Sequence, residues 1–173
     1  MTSKIALFCA AALLTCSAPA FAADAPTDPQ IAHIAYTAGN IDIAAAKQAL
    51  ARSHNRTIRS FAQEMIRDHS AVNAKALALV KKLHVTPEAN PTSAALEKDA
   101  TATLKRLSTM NGRAYDRAYI DNEVAYHKTV NGALETTLIP SARNPELKSL
   151  LESGLTLFRE HQAHAEQVAK DLK

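Results

Sequence analysis

The chain has no tryptophan, and its two cysteines, Cys9 and Cys16, both fall in the first 16 residues. Beyond them there is no thiol to form a disulfide, bind a soft metal or act as a nucleophile. Glycine is scarce and the sequence has no phosphate-cradling glycine loop, no Gly-x-Ser-x-Gly elbow and no His-Glu-x-x-His zinc-protease motif. After Leu14 no apolar run reaches the roughly 20 residues needed to cross a bilayer. Charge of one sign is never concentrated: 20 Lys and Arg are interspersed with 17 Asp and Glu, without interleaved aromatics. This excludes the basic patch of a nucleic-acid-binding protein. Sustained strand-type alternation is also missing.

What is present begins with an export signal. Lys4 supplies a positive start, Ile5 to Leu14 an apolar stretch, and Ala20-Phe21-Ala22 a small-x-small cleavage pattern. Residues 1–22 are therefore expected to be removed, leaving one helical-bundle domain over residues 23–173 in the periplasm. A competing lipoprotein site, Leu13-Leu14-Thr15-Cys16, has a poor residue in Thr15, so lipid anchoring at Cys16 is not the reading adopted. Without Lys4 the balance is 19 basic against 17 acidic residues, near neutrality.

Abundant alanine and repeated apolar spacings of three and four define an all-α chain. Asp28 as N-cap with Pro29 at the first helical position predicts a helix over residues 28–53. A second follows over residues 55–83, its inner stripe Ile58, Ala62, Met65, His69, Val72, Ala76, Leu79 and Leu83. Two prolines mark residues 84–91 as a loop. A shorter helix spans residues 92–110, and Asn111-Gly112 breaks it. A fourth covers residues 113–138, ended by Ile139-Pro140, and the last starts at Asn144-Pro145. Two hairpins joined by a loop and a short helix give a ferritin-like four-helix bundle with an additional short crossover helix, the second and fourth helices parallel. An irregular five-helix up-and-down bundle is the alternative.

Each long helix carries an ionisable side chain in its apolar stripe: Asp42, then His69, then Glu123 and His127, then His161. Buried polar groups without partners are costly, so their convergence points to a site. With the crossover connection and a rise of about 1.5 Å per residue, all five fall within a band about 9 Å deep near mid-bundle. Three imidazoles and one or two carboxylates suit one divalent transition metal such as Zn, Cu, Ni or Fe. Met65 would add a soft ligand. The same residues also suit a His–carboxylate hydrogen-bond network that sets helix register. His161-x-x-His164 could chelate an ion, or be one core and one exposed histidine. Tyr115, Tyr119 and Tyr126 form a stripe expected to pack with hydroxyls at the rim. After residue 22 no Glu or Asp is followed by His three positions later, so the Glu-x-x-His signature of di-iron carboxylate bundles is missing. With no nucleophile motif either, no catalytic residue is assigned.

Three runs carry a resemblance: Ile58-Arg59-Ser60-Phe61-Ala62-Gln63-Glu64-Met65-Ile66-Arg67-Asp68-His69, Tyr115-Asp116-Arg117-Ala118-Tyr119-Ile120 with His127 after it, and Phe158-Arg159-Glu160-His161. Together they resemble the bacterial family called domain of unknown function 4142. The resemblance implies an exported ferritin-like bundle and no established activity. It points to Asp68, His69, Asp116, Tyr119, His127 and His161, with Asp42 where the family usually carries Glu, a shorter side chain that would weaken a metal site. Three function classes follow: a periplasmic metal- or cation-binding bundle in metal handling or envelope stress, a non-enzymatic structural or interaction protein, and, ranked last, a redox enzyme using the bound metal. The partner classes left open are a divalent metal ion and another envelope protein.

Overall fold

Helix boundaries follow from local capping chemistry. In the computed structural model, which describes residues 25–172, the order is α1 (Asp28–Arg52), α2 (Arg56–Lys82), α3 (Pro91–Ser108), α4 (Gly112–Ala133), a π-helical turn (Leu134–Leu138), α5 (Ile139–Ser141) and α6 (Pro145–Asp171). The expected export signal, residues 1–22, lies outside the described residues. Asn55 caps α2, its Oδ1 accepting the Thr57 and Ile58 N–H groups at 2.9 and 3.3 Å. Asn144 does the same for α6 with Glu146 and Leu147 at 2.9 and 3.1 Å. Both satisfy amide groups that have no partner within the helix.

Two expected boundaries are corrected. Thr27, not Asp28, caps α1, because Gln30 three residues on closes a capping box onto the Thr27 N–H at 3.1 Å. That frees the Asp28 carboxylate, which accepts the Arg143 and Asn144 N–H groups at 2.8 and 2.9 Å and ties the start of α1 to the start of α6. Ile139-Pro140 does not end the fourth helix either; helical backbone continues to Ser141 through the π turn. The wide turn moves the carbonyl that a proline ring would otherwise meet. α2 ends with His84 at φ 54°, Val85 N–H returning to Val80 C=O at 3.0 Å.

α1 packs on α2 and α4 on α6, while α2 lies beside α6 and α1 beside α4. Lys82 Nζ meets Glu146 Oε2 at 2.6 Å, joining the end of α2 to the start of α6. With the Asp28 contacts, this sets α2 parallel to α4 and α1 parallel to α6. α3 carries the chain back along α1: Asn90 Nδ2 donates to Gln30 C=O at 3.3 Å at one end, and Gln48 Nε2 donates to Leu104 C=O at 3.0 Å towards the other. The result is all-helical, and no strand occurs among the described residues.

The apolar interior divides in two. One half is filled by Ile58, Phe61, Met65, Tyr115, Tyr119 and Ile120. The other half, around Ile31, Ile34, Leu134, Leu138, Leu147 and Leu151, borders a cavity of about 850 Å³. For this reason Val72, Ala76, Leu79 and Leu83, expected in the core stripe of α2, are only half-buried. Leu77 is 47 % exposed.

At Gly39, α1 and α2 approach so closely that an added Cβ would sit 2.4 Å from Asn73 Oδ1. Asn73 cannot easily yield, since its amide donates to Asn40 Oδ1 at 2.9 Å and it is buried. Helix propensity alone would make Gly39→Ala stabilising by about 1 kcal/mol. The clash reverses the sign, and we expect a net loss of about 1–3 kcal/mol in urea unfolding. In the Gly39→Ala/Asn73→Ala double variant the cost should be less than the sum of the single ones; additive costs would exclude the contact as the cause.

Candidate metal centre

The middle of the bundle is a polar section between the two apolar halves. α1 contributes Asp42, α2 His69, α4 Glu123 and His127, and α6 His161, each 3 % exposed or less. The ligand atoms of His69, His127 and His161 all lie within 4.8 Å of one another, and so do those of Asp42, Glu123 and His127. His127 belongs to both groups. The structure therefore brings together the five residues proposed as ligands from the sequence. Asp42, despite its short side chain, reaches two of the histidines: its Oδ2 lies 3.2 Å from His69 Nε2 and 3.3 Å from His127 Nε2.

These close approaches are not hydrogen bonds. Both nitrogens of His69, His127 Nε2 and His161 Nδ1 have no hydrogen-bond partner although fully enclosed, while the carboxyl groups of Asp42 and Glu123 hydrogen-bond to each other. The donor–acceptor axes miss one another. Two of the rings are instead held from outside. His127 Nδ1 lies 3.0 Å from the Glu123 backbone carbonyl, so Nδ1 carries the proton and donates, leaving the Nε2 lone pair free. His161 Nε2 lies 3.1 Å from Asp68 Oδ2, which fixes the opposite tautomer and leaves Nδ1 free. Asp68 is in turn held by Arg67 at 2.7 and 2.9 Å. A carboxylate or carbonyl behind each imidazole is the usual support of a metal-binding histidine. Ligand atoms at 2.0–2.1 Å from a tetrahedral ion stand about 3.3 Å apart, close to the spacings of Asp42 Oδ2 from the two histidines.

Electrostatics agree with neutral imidazoles. Burial lowers His69 to about 3, helped by the neighbouring His161, and burial also lowers His127. The contacts with Asp42 are thus not ion pairs near neutral pH. Burial raises Asp42, and it holds Glu123 well above the ordinary carboxyl value with the adjacent Asp42 charge adding to the shift. The Arg67 side chain lowers Asp68, keeping it ionised behind His161.

The remaining residues singled out from the sequence surround this section. Asp116 is 7 % exposed with Oδ1 unpartnered, and Tyr119 is fully buried with its hydroxyl unpartnered. The tyrosines do not all keep their hydroxyls at the rim: burial raises Tyr119 well above the usual value, while Tyr126 donates to Ala38 C=O at 2.9 Å. Met65 packs in the filled apolar half. His161 and His164 do not converge on one point; His164 Nδ1 turns to Glu64 Oε2 at 2.8 Å, at the surface. Two participants were not singled out from the sequence. Phe158 stacks on His69, centroids 4.6 Å apart and planes 10° from parallel. Glu64 joins Asp68 and His161 in an outer cluster within 4.8 Å. Glu64 stands one turn before Asp68, a spacing that could have revealed it.

Fold and centre together define a class: an all-helical protein with a buried cluster of three histidines and two carboxylates of metal-ligating type. The chain belongs to the family described as Domain of unknown function (DUF4142), whose model matches residues 14–168. No curated protein and no solved structure matches it. No described helix is long and apolar enough to cross a membrane.

The opposed shifts predict how the chelator-treated protein responds to pH. His69 takes up a proton near 6.5 when unfolded but only near 3 when folded. Stability therefore falls as pH drops below 6.5 towards 3, at about 1.4 kcal/mol per unit for one such group. Burial and the adjacent Asp42 hold the Glu123 carboxyl well above 4.5 when folded, so its contribution to stability falls as pH rises above 4.5. Denaturant midpoints across pH should show Glu123→Gln losing less stability than the parent as pH rises above 4.5; identical profiles would contradict the raised carboxyl of Glu123.

Proposed function

We propose that this protein is an exported, ferritin-like helical bundle that holds one divalent transition metal ion at mid-bundle and serves metal handling in the periplasm. The observation that carries the reading is the set of unpartnered ring nitrogens on His69, His127 and His161 beside the Asp42 carboxylate, with two of the rings fixed from behind. A histidine–carboxylate network serving only to set helix register would satisfy its own donors and acceptors, because a half-satisfied buried network is worse than an apolar core. Here each missing partner costs about 1–3 kcal/mol, a cost that an ion bound at the centre would relieve. His69, His127 and His161 would supply nitrogen ligands and Asp42 an oxygen, with Glu123 adjacent. That composition favours Zn, Cu, Ni or Fe over Mg or Ca, which prefer all-oxygen shells. The parallel arrangement of α2 and α4 and the return of the chain through α3 support the ferritin-like topology. The Lys4, Ile5–Leu14 and Ala20-Phe21-Ala22 pattern supports export and cleavage after residue 22. Envelope stress is the setting this reading favours for such a protein, and we assign it no catalytic step.

Thermal unfolding with Zn, Cu, Ni, Mn or Fe(II), against a chelator control, tests the reading. A ligand at 100 times its Kd stabilises by about 2.7 kcal/mol, which for a domain of this size raises the midpoint by several degrees. We expect such a rise with one of the nitrogen-preferring metals, and its loss in His69→Ala/His127→Ala. If no metal moves the midpoint, the centre is a structural network and the proposal fails.

A further inference from the structure

The hollow half of the bundle is too large and too uniform in chemistry to be a packing defect. Its volume of about 850 Å³ lies at the upper end of the range for small-molecule sites, whereas voids in well-packed interiors rarely exceed a water molecule. None of its described lining residues is charged. Along its walls Ile34, Val80, Leu96, Val130, Leu138 and Leu151 present only hydrocarbon. Water gains little in such a space, which favours an apolar occupant.

Shape and polarity narrow the choice. From Thr27 to Ala38 on α1, and from Leu147 to Phe158 on α6, the lining runs about 16 Å along the bundle, the span of an extended alkyl chain of roughly a dozen carbons. Four of the polar lining side chains, Thr27, Gln30, Asn90 and Thr92, come together from the starts of α1 and α3, while Thr129, Thr137 and Asn73 stand apart from them. These are uncharged donors and acceptors; the Gln30 amide is held by the Thr27 N–H and by Glu88 Oε1 at 3.4 Å, and Asn90 by the Ser93 N–H, which leaves the hydroxyls of Thr27 and Thr92 to turn to an occupant. No described cation lines the opening to hold a carboxylate or phosphate headgroup. At the opposite end the cavity stops at Gly39, Asn73 and Phe158, the ring that covers His69. The π turn contributes Leu134, Thr137 and Leu138 to the wall, a departure from α-helix of the kind frequent at functional sites.

We propose that this cavity binds a neutral single-chain amphiphile of the monoacylglycerol type, its alkyl chain lying along the bundle with the end against Phe158 and its hydroxyls at Thr27 and Thr92. The occupant is an uncharged lipid and not a free fatty acid, because the described residues at this end offer hydroxyl groups and no positive charge. Binding at this site does not rest on the metal reading, since none of the five ligand candidates lines the cavity and only Phe158 touches both.

The test uses chelator-treated protein and 1-lauroylglycerol below its micelle concentration, followed by calorimetry and thermal unfolding. We expect one lipid per chain, a raised midpoint, and laurate at pH 8 bound at least tenfold more weakly. Two variants fill the cavity from opposite walls. At Gly154 an added Cβ makes only ordinary contact with Phe158, at 3.5 and 3.7 Å, so Gly154→Leu can fold while occupying the space. Ala35→Leu does so from α1. Both should lose lipid binding at least tenfold without a lower midpoint in the lipid-free protein. No binding of 1-lauroylglycerol, equal binding of laurate, or unchanged binding in both variants would overturn the proposal. So would a concentration-dependent dimer in sedimentation that lipid fails to dissociate and either variant abolishes, since the cavity would then be covered by a second copy. Because metal is excluded throughout, failure here leaves the metal centre untouched, and failure of the metal titration leaves this site untouched.

Discussion

Removing ionisable groups from water at one cross-section is the constraint around which this bundle is organised. Asp42, His69, Glu123, His127 and His161 come from four helices and sit at one level, nearly without solvent. Sliding any one helix by a turn would move its polar group into hydrocarbon and leave the others facing a gap. Apolar contacts cannot exert the same control, because leucine and alanine stripes tolerate neighbouring registers far better. The centre therefore fixes the relative heights of α1, α2, α4 and α6.

The centre also marks where the molecule changes character. On one side Phe61, Met65, Tyr115 and Tyr119 fill the interior. On the other the helices enclose open space between alanine, valine and leucine side chains. The fully buried aromatic residues Phe61, Tyr115 and Tyr119 all lie in the filled half, and Phe158 stands at the boundary between the two. Opening free energies are expected to be uneven as a result, highest around Tyr115 and Tyr119 and lowest around the cavity.

Much of this was legible in the sequence, for identifiable reasons. The helices could be read because caps such as Asn55 and Asn144 and breaks such as Asn111-Gly112 act locally. The convergence of His69, His127 and His161 could be read because helical phase and rise are fixed numbers. Asp28 was misplaced by one position, since Thr27 with Gln30 forms a cap as good as the one expected at Asp28. The half-buried state of Val72 and Ala76 was not legible: periodicity says which way a side chain points, not whether another waits opposite. Phe158 stacks on His69 across two helices, and Glu64 reaches His164 likewise; pairings of that kind depend on tertiary placement that spacing along one helix does not encode.

The π turn at Leu134–Leu138 gives chain length an unusual importance here. One additional residue in a helical turn rotates everything beyond it by about 100°, and what lies beyond is the short path through Ser141 to Arg143 and Asn144. Those two amides must reach the Asp28 carboxylate for α6 to start beside α1. The insertion thus acts as an angular adjustment, aiming the last helix so that His161 arrives facing inward some 16 residues later. A chain shortened by one residue in this stretch could keep every side chain that matters and still lose the centre, because α6 would begin its winding from the wrong angle.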